Sequence, residues 1–186
     1  MSTRCRLILV LVFLGASHSG FSQCGEWEKL FYYKNVSIND AAYDRFGNTY
    51  IVGNFSEGDF TLGPNTFSLP PGGSGVFIAK FDKRYSLVWA ISPTAGKWAQ
   101  AYRIEIAQDD NFIVAGNFAT SISFGCSSFH GTENGNVFLV KLTADGVPLW
   151  LTGSAGGNRC QVDQITMSPN GNCVLTARFS EKNLLS

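Results

Sequence analysis

The chain repeats itself, and nothing else in the sequence restricts its fold as much. DRFGNTYIVGNF (44–55), AQDDNFIVAGNF (107–118) and SPNGNCVLTARF (168–179) align without gaps. Phe55, Phe118 and Phe179 then fall 63 and 61 residues apart. Farther along, Phe77-Ile78-Ala79-Lys80 matches Phe138-Leu139-Val140-Lys141, and Trp89 matches Trp150, both at a step of 61. A chain with this period builds one small unit and stacks it.

Each unit reads as four short strands. In the second copy, Tyr102 to Ala107 alternates Ile104 and Ile106 with Arg103 and Glu105, which is the period of a strand. Gln108-Asp109-Asp110-Asn111 reads as a turn, as do Gly47-Asn48 and Gly171-Asn172 in its neighbours, where glycine supplies a positive φ. Phe112 to Phe118, Val137 to Leu142 and Val147 to Thr152 complete the four, the last two joined by Thr143-Ala144-Asp145-Gly146. The consecutive apolar residues Ile113-Val114-Ala115 and Val137 to Val140 suit strands covered on both faces, as in a propeller blade between two others. The expected fold is all-β, a β-propeller-type array of antiparallel four-stranded blades forming an incomplete ring. A period near 60 exceeds the usual blade of about 40 to 50 residues. The surplus is assigned to an extra hairpin at Ile122 to Asn136, matched in the first copy by Phe60-Thr61-Leu62-Gly63 and the loop Pro70 to Gly75.

These marks resemble the β-propeller repeat of bacterial secreted proteins known as SBBP repeats. The similarity is carried by Asp-x-x-Gly-Asn-x-Tyr-Ile-Val-Gly-x-Phe from Asp44 to Phe55, then Leu62-Gly63, Val76 to Asp82 and Leu87-Val88-Trp89. It covers roughly residues 27 to 180. The resemblance implies a blade scaffold and no common catalytic residue. Many relatives end in a C-terminal sorting domain; none is read in these residues, so attachment or secretion by that route is not expected.

The array is divided as repeat 1 over 38–96, repeat 2 over 97–157 and a partial repeat 3 over 158–186. Residues 1–22 read as a secretory signal peptide: Arg4 and Arg6, an apolar core from Leu7 to Leu14, and small Gly20 and Ser22 ahead of a cut before Gln23. The apolar run is too short to span a bilayer, which takes about 20 residues. Lipidation at Cys24 is disfavoured because Gln23 stands where a small residue is needed. In 23–37, Trp27 lies 62 residues before Trp89, so this stretch reads either as the fourth strand of a closing blade or as an arm carrying a tryptophan. Two and a half blades cannot close a ring of four to eight, so a fragment, or self-association through uncovered blade faces, is expected.

Fourteen basic and fourteen acidic residues leave no net charge, and no basic run follows one face. Nucleic acid and anionic membranes are therefore poor partners. Beyond the leader, Cys24, Cys126, Cys160 and Cys173 allow three disulfide pairings, and Cys173, standing where the second copy has Phe112, reads as a buried thiol. One histidine, His130, remains outside the leader, so neither a zinc site nor a Ser-His-Asp triad is expected. Asp82, Asp109, Asp110 and Asp145 occupy turns, where Asp is favoured by local backbone bonding rather than by calcium. Trp27, Trp89 and Trp150 hold one register and read as packing between blades rather than as sugar platforms. Gly72-Gly73-Ser74-Gly75 lacks the Lys-Ser/Thr and helix of a phosphate loop. No catalytic, cofactor-binding or metal-binding residue is assigned, and no cofactor is expected. The sequence reads as a non-catalytic module, secreted or on the bacterial cell surface, that binds an unidentified protein or glycan through hairpins such as 63–75 and 126–136. The alternative is a piece of a propeller enzyme resembling quinoprotein dehydrogenases, whose blades carry Gly-x-x-x-Trp endings like Gly146 to Trp150.

Overall fold

The computed structural model describes residues 35–154, 158–168 and 170–180. The leader, Cys24, Trp27 and the tail 181–186 lie outside the described residues. Among the described residues the chain is all-β and antiparallel, with no helix. The first sheet is a meander of β1 (Val36–Tyr43), β2 (Thr49–Leu62), β3 (Asn65–Phe81) and β4 (Leu87–Ile91), paired in that order. After β5 (Thr94–Ala95), the second sheet repeats the pattern with β6 (Trp98–Ile106), β7 (Phe112–Ala119), β10 (Asn136–Leu142) and β11 (Pro148–Gly153). Between β7 and β10, β8 (Ser121–Phe124) and β9 (Ser127–His130) form a hairpin that also pairs with β5. The hairpin β12 (Asn158–Met167) and β13 (Cys173–Ser180) follows. Among the described residues no sheet closes on itself.

The residues aligned in the sequence hold matching register positions. Phe55 pairs with Val36, Phe118 with Ala99 and Phe179 with Cys160. The first strand of each copy shifts register at the same point, so that Asn39, Tyr102 and Asp163 are each one extra residue, a β-bulge that bends the strand. Five turns share one backbone pattern. The first residue (Asp44, Asp82, Ala107, Thr143 or Ser168) donates its N–H to the carbonyl four residues on and accepts from the N–H three residues on. This geometry puts the fourth residue at positive φ: Gly47, Tyr85, Asp110, Gly146 and Gly171. Asp44 and Asp82 brace their turns by accepting from the N–H groups two and four residues on, and Thr143 does the same through its hydroxyl. Ser168 keeps the longer of these two bonds. Ala107 has no side-chain acceptor, and Asp109 substitutes by receiving Asn111 N–H. The sequence expectation that these carboxylates serve turns agrees with Asp82 and Asp109.

The second sheet is covered on both faces, as its consecutive apolar residues require. Phe112, Val114 and Phe118 of β7 look toward the first sheet and join Tyr50, Val52, Val76 and Ile78 in one core. Ile113 and Ala115 look the other way and pack with Cys160, Val162 and Ile165 of the third hairpin. Hairpins between the second and third strands fold over the same side of each sheet: Ile122 and Phe124 join the first core, and Phe60 and Leu62 join Phe55 and Phe77 in another.

Three expectations need correction. The first-copy hairpin turns at Gly63-Pro64, between Leu62 and its partner Asn65, so Pro70 to Gly75 is not its tip but part of β3. There Gly72 N–H reaches the Glu57 carboxylate across a register shift. Cys173 is only half-buried, at the edge of the core in which Cys160 is buried. Trp89 packs between sheets, but Trp150 is 39% exposed, because Cys173 stands where Phe112 gives Trp89 a ring to stack on. Cys126, Cys160 and Cys173 are all free thiols.

Candidate functional site

The first strands of the three copies, β1, β6 and β12, line a common cleft of about 740 Å³. Stacking brings them together, and side chains from neighbouring strands fix their spacing. Asn54 of β2 accepts Ala101 N–H at 2.8 Å, and its aligned residue Asn117 accepts Val162 N–H at 3.1 Å. These bonds satisfy amides that bulged first strands would otherwise leave unpaired. Asn39 donates to the Ala101 carbonyl at 2.6 Å, and Asp40 accepts Ile104 N–H at 3.0 Å.

The cleft is polar where the cores are not. Asp40, Arg103, Glu105, Asp163 and Gln164 line it together with the backbone of Ala41 to Tyr43. Arg103 donates to the Tyr102 carbonyl at 2.8 Å. Asp163 is gripped by Arg178, whose Nε lies 3.0 and 3.1 Å from its two oxygens. Burial pushes the Glu105 carboxyl above its usual range, and the Asp40 carboxylate adds to the effect. Asp40 and Asp163 are committed to the scaffold, which leaves Arg103, Glu105 and Gln164 as the groups best placed to meet a ligand by hydrogen bonds and charge.

The residues weighed in the sequence do not converge on this cleft. His130 is exposed at the end of β9. Asp109 is bonded to Lys141 at 2.7 Å, and that cation is the main reason its carboxyl sits below the ordinary range. Asp110 pairs with Arg45 across the two sheets. Trp89 donates Nε1–H to the Ala144 carbonyl at 3.2 Å, lies parallel to Phe112 at 6.0 Å and meets Tyr50 edge-on at 6.2 Å. Among the described residues, no group of three or more His, Cys, Asp or Glu side chains is placed to hold a metal ion, and no helix is long and apolar enough to cross a membrane. Sequence reasoning passed over Asp40, Glu105 and Asp163. The available signal was that Asp40, Arg103 and Gln164 differ in type although they share one register position.

The fold and cleft define an all-β protein of stacked antiparallel sheets with a polar groove along its first strands. Comparison with protein-family models finds no matching family, and comparison with curated proteins finds no matching relative.

Proposed function

We propose that this chain is a propeller-type repeat module of an exported protein, built from SBBP-like blades, that binds a protein or glycan and performs no catalysis itself. The supporting observation is the contrast between what the copies share and what they vary. Scaffold positions repeat: a glycine under a phenylalanine (Gly53 with Phe77, Gly116 with Phe138), an asparagine bridging to the next first strand, and the five-residue turn. Cleft and tip positions do not: Asp40 corresponds to Arg103, Ala42 to Glu105, Arg45 to Gln108 and Phe46 to Asp109. Substitution concentrated on the cleft and turn positions of a fixed frame is how a scaffold carries recognition. In this reading the first strands lie nearest the propeller axis, and export follows the leader-like residues 1–22.

The test is a binding screen of the purified chain against glycans and extracellular proteins, run beside a redox-dye assay with added quinone. Specific retention by one ligand class with no dye reduction is the expected result. Dye reduction would replace this reading with the enzyme one.

A further inference from the structure

The two turns at one end of the first sheet carry a patch that the second sheet lacks. Asp44 to Asn48 joins β1 to β2, and Asp82 to Ser86 joins β3 to β4. They touch: a Cβ at Gly47 would lie 3.5 Å from Lys83 Cβ. Phe46 is 62% exposed and Tyr43 53% exposed. The Arg45 guanidinium lies 5.0 Å from the Phe46 ring centroid, and Asp110 of the second sheet anchors it there at 2.5 Å. Lys83 and Arg84 are exposed, and among the described residues neither side chain forms an ion pair. Two carboxylates of these turns are engaged by backbone amides: Asp44 is buried and accepts those of Phe46 and Asn48, and the half-buried Asp82 accepts those of Arg84 and Ser86.

The second sheet acts as an internal control. Where the first has Tyr43, Arg45, Phe46, Lys83, Arg84 and Tyr85, the second has Ile106, Gln108, Asp109, Ala144, Asp145 and Gly146. The same turns form with either set, so the aromatic and cationic side chains are not needed to fold them. Tyr85 is the clearest case, because it sits at φ 61° where three of the other four turns have glycine. A bulky side chain there costs roughly 1 to 2 kcal/mol. Burial raises the Tyr43 hydroxyl pKa, and the charge of Tyr85 adds to the effect.

We propose that this tip binds an acidic polysaccharide, with sugar rings stacked on Phe46 and Tyr43 and carboxylate or sulfate groups held by Lys83 and Arg84. The proposal rests on the binding-module reading above and names its ligand class. Charge selects an anion, since Lys83 and Arg84 are exposed cations that form no ion pair among the described residues. Ring exposure selects a sugar over an acidic peptide: a flat aromatic face is enough to stack a pyranose, whereas a peptide anchor gains most from an enclosing pocket. Two free cations also give a modest charge density, too small to hold a nucleic-acid backbone at physiological salt.

The experiment uses the full chain and immobilised polygalacturonate, its methyl-esterified form, poly-glutamate and oligo-dT. Polygalacturonate is expected to bind best, and masking its carboxylates by esterification is expected to weaken binding at least tenfold. Lys83→Ala with Arg84→Ala should weaken it about tenfold and flatten its salt dependence. Phe46→Ala should weaken it by a similar factor without changing the salt dependence, and Phe46→Trp should restore it. Thermal melts should match the parent, because the replaced side chains are exposed. Equal binding to the esterified form, poly-glutamate or oligo-dT, indifference to the tip substitutions, or no binding to polygalacturonate would each overturn the proposal. Capture of another glycan or a protein by a tip-independent surface would do so too, while leaving the binding-module reading intact.

Discussion

Replacing Gly116 with alanine tests the internal frame at its tightest point. A Cβ there would sit 2.1 Å from the Gln100 carbonyl oxygen and 2.6 Å from the Phe138 ring. Real Cβ atoms essentially never come within 3.0 Å of another heavy atom, so β6 must move by about 0.9 Å or the ring must turn. Neither is easy: the oxygen belongs to a strand paired with β7, and Phe138 is fully buried among Phe118 and Phe124. Overpacking of this kind costs about 3 kcal/mol. Gly58→Ala is the reference, since nothing lies within 4 Å of a Cβ there and only the positive φ of 83° opposes it, at about 1 kcal/mol. For a domain of this size the difference amounts to roughly 4 to 8 °C in Tm. Urea unfolding followed by tryptophan fluorescence, with the slope checked for constancy, gives the free energies directly. If Gly116→Ala loses no more stability than Gly58→Ala, the account of why glycine lies beneath the third-strand phenylalanine is wrong.

The two tryptophans should separate in the same assay. Trp89→Ala removes a stacked ring and a hydrogen bond between sheets and should cost about 3 kcal/mol, against about 1 kcal/mol for the more exposed Trp150→Ala. Asn117→Ala removes the side-chain bonds to Val162 N–H and the Asn136 carbonyl and should cost about 2 kcal/mol, with faster hydrogen exchange at the Val162 amide. Asp44 gives a pH signature. Burial acts to raise its carboxyl pKa, but bonds from Asn48 and Phe46 and the nearby Lys80 charge outweigh it and leave the net shift downward. A depressed folded-state value means the stabilisation is complete above the unfolded carboxyl range and is lost as pH falls through the folded value. Asp44→Asn should therefore lower Tm at pH 7 and shrink the parent's lead over the variant by pH 2.5.

The arrangement of strands was readable in the sequence because each strand's face is written at period two and the copies check one another. Ile113-Val114-Ala115 reads as buried on both faces, and it is, with alternate residues entering two different cores. The turns were readable in part: Gly47 and Gly171 announce positive φ, but Tyr85 and Asp110 take the same conformation with no glycine to mark it. The hairpin in the first copy was misplaced because Pro70-Pro71-Gly72-Gly73 looks like a loop by composition. Its partner strand tolerates those residues because the pairing shifts register between Ser56 and Gly58, where a proline needs no ladder bond. Trp150 shows the limit of reading by register, since a residue keeps its place in the repeat while its neighbour across the interface changes from Phe112 to Cys173.

The candidate sites were harder to see than the frame for a related reason. Asp40, Arg103 and Gln164 lie 63 and 61 residues apart and share no residue type, so nothing in a linear reading joins them until stacking aligns three first strands. Likewise, Arg45 and the Lys83-Arg84 pair form no basic run, and the chain's zero net charge hides them. They become one patch only because two turns at the same end of one meander must touch. Repetition thus makes the scaffold legible and conceals recognition, because the scaffold is what the copies have in common, whereas a binding surface is assembled from the places where they disagree. The most informative comparison inside such a chain is therefore subtraction of one copy from the next. Applied here, it removes the buried glycine, asparagine and turn positions and leaves the cleft along the first strands and the aromatic, cationic tip of the first sheet.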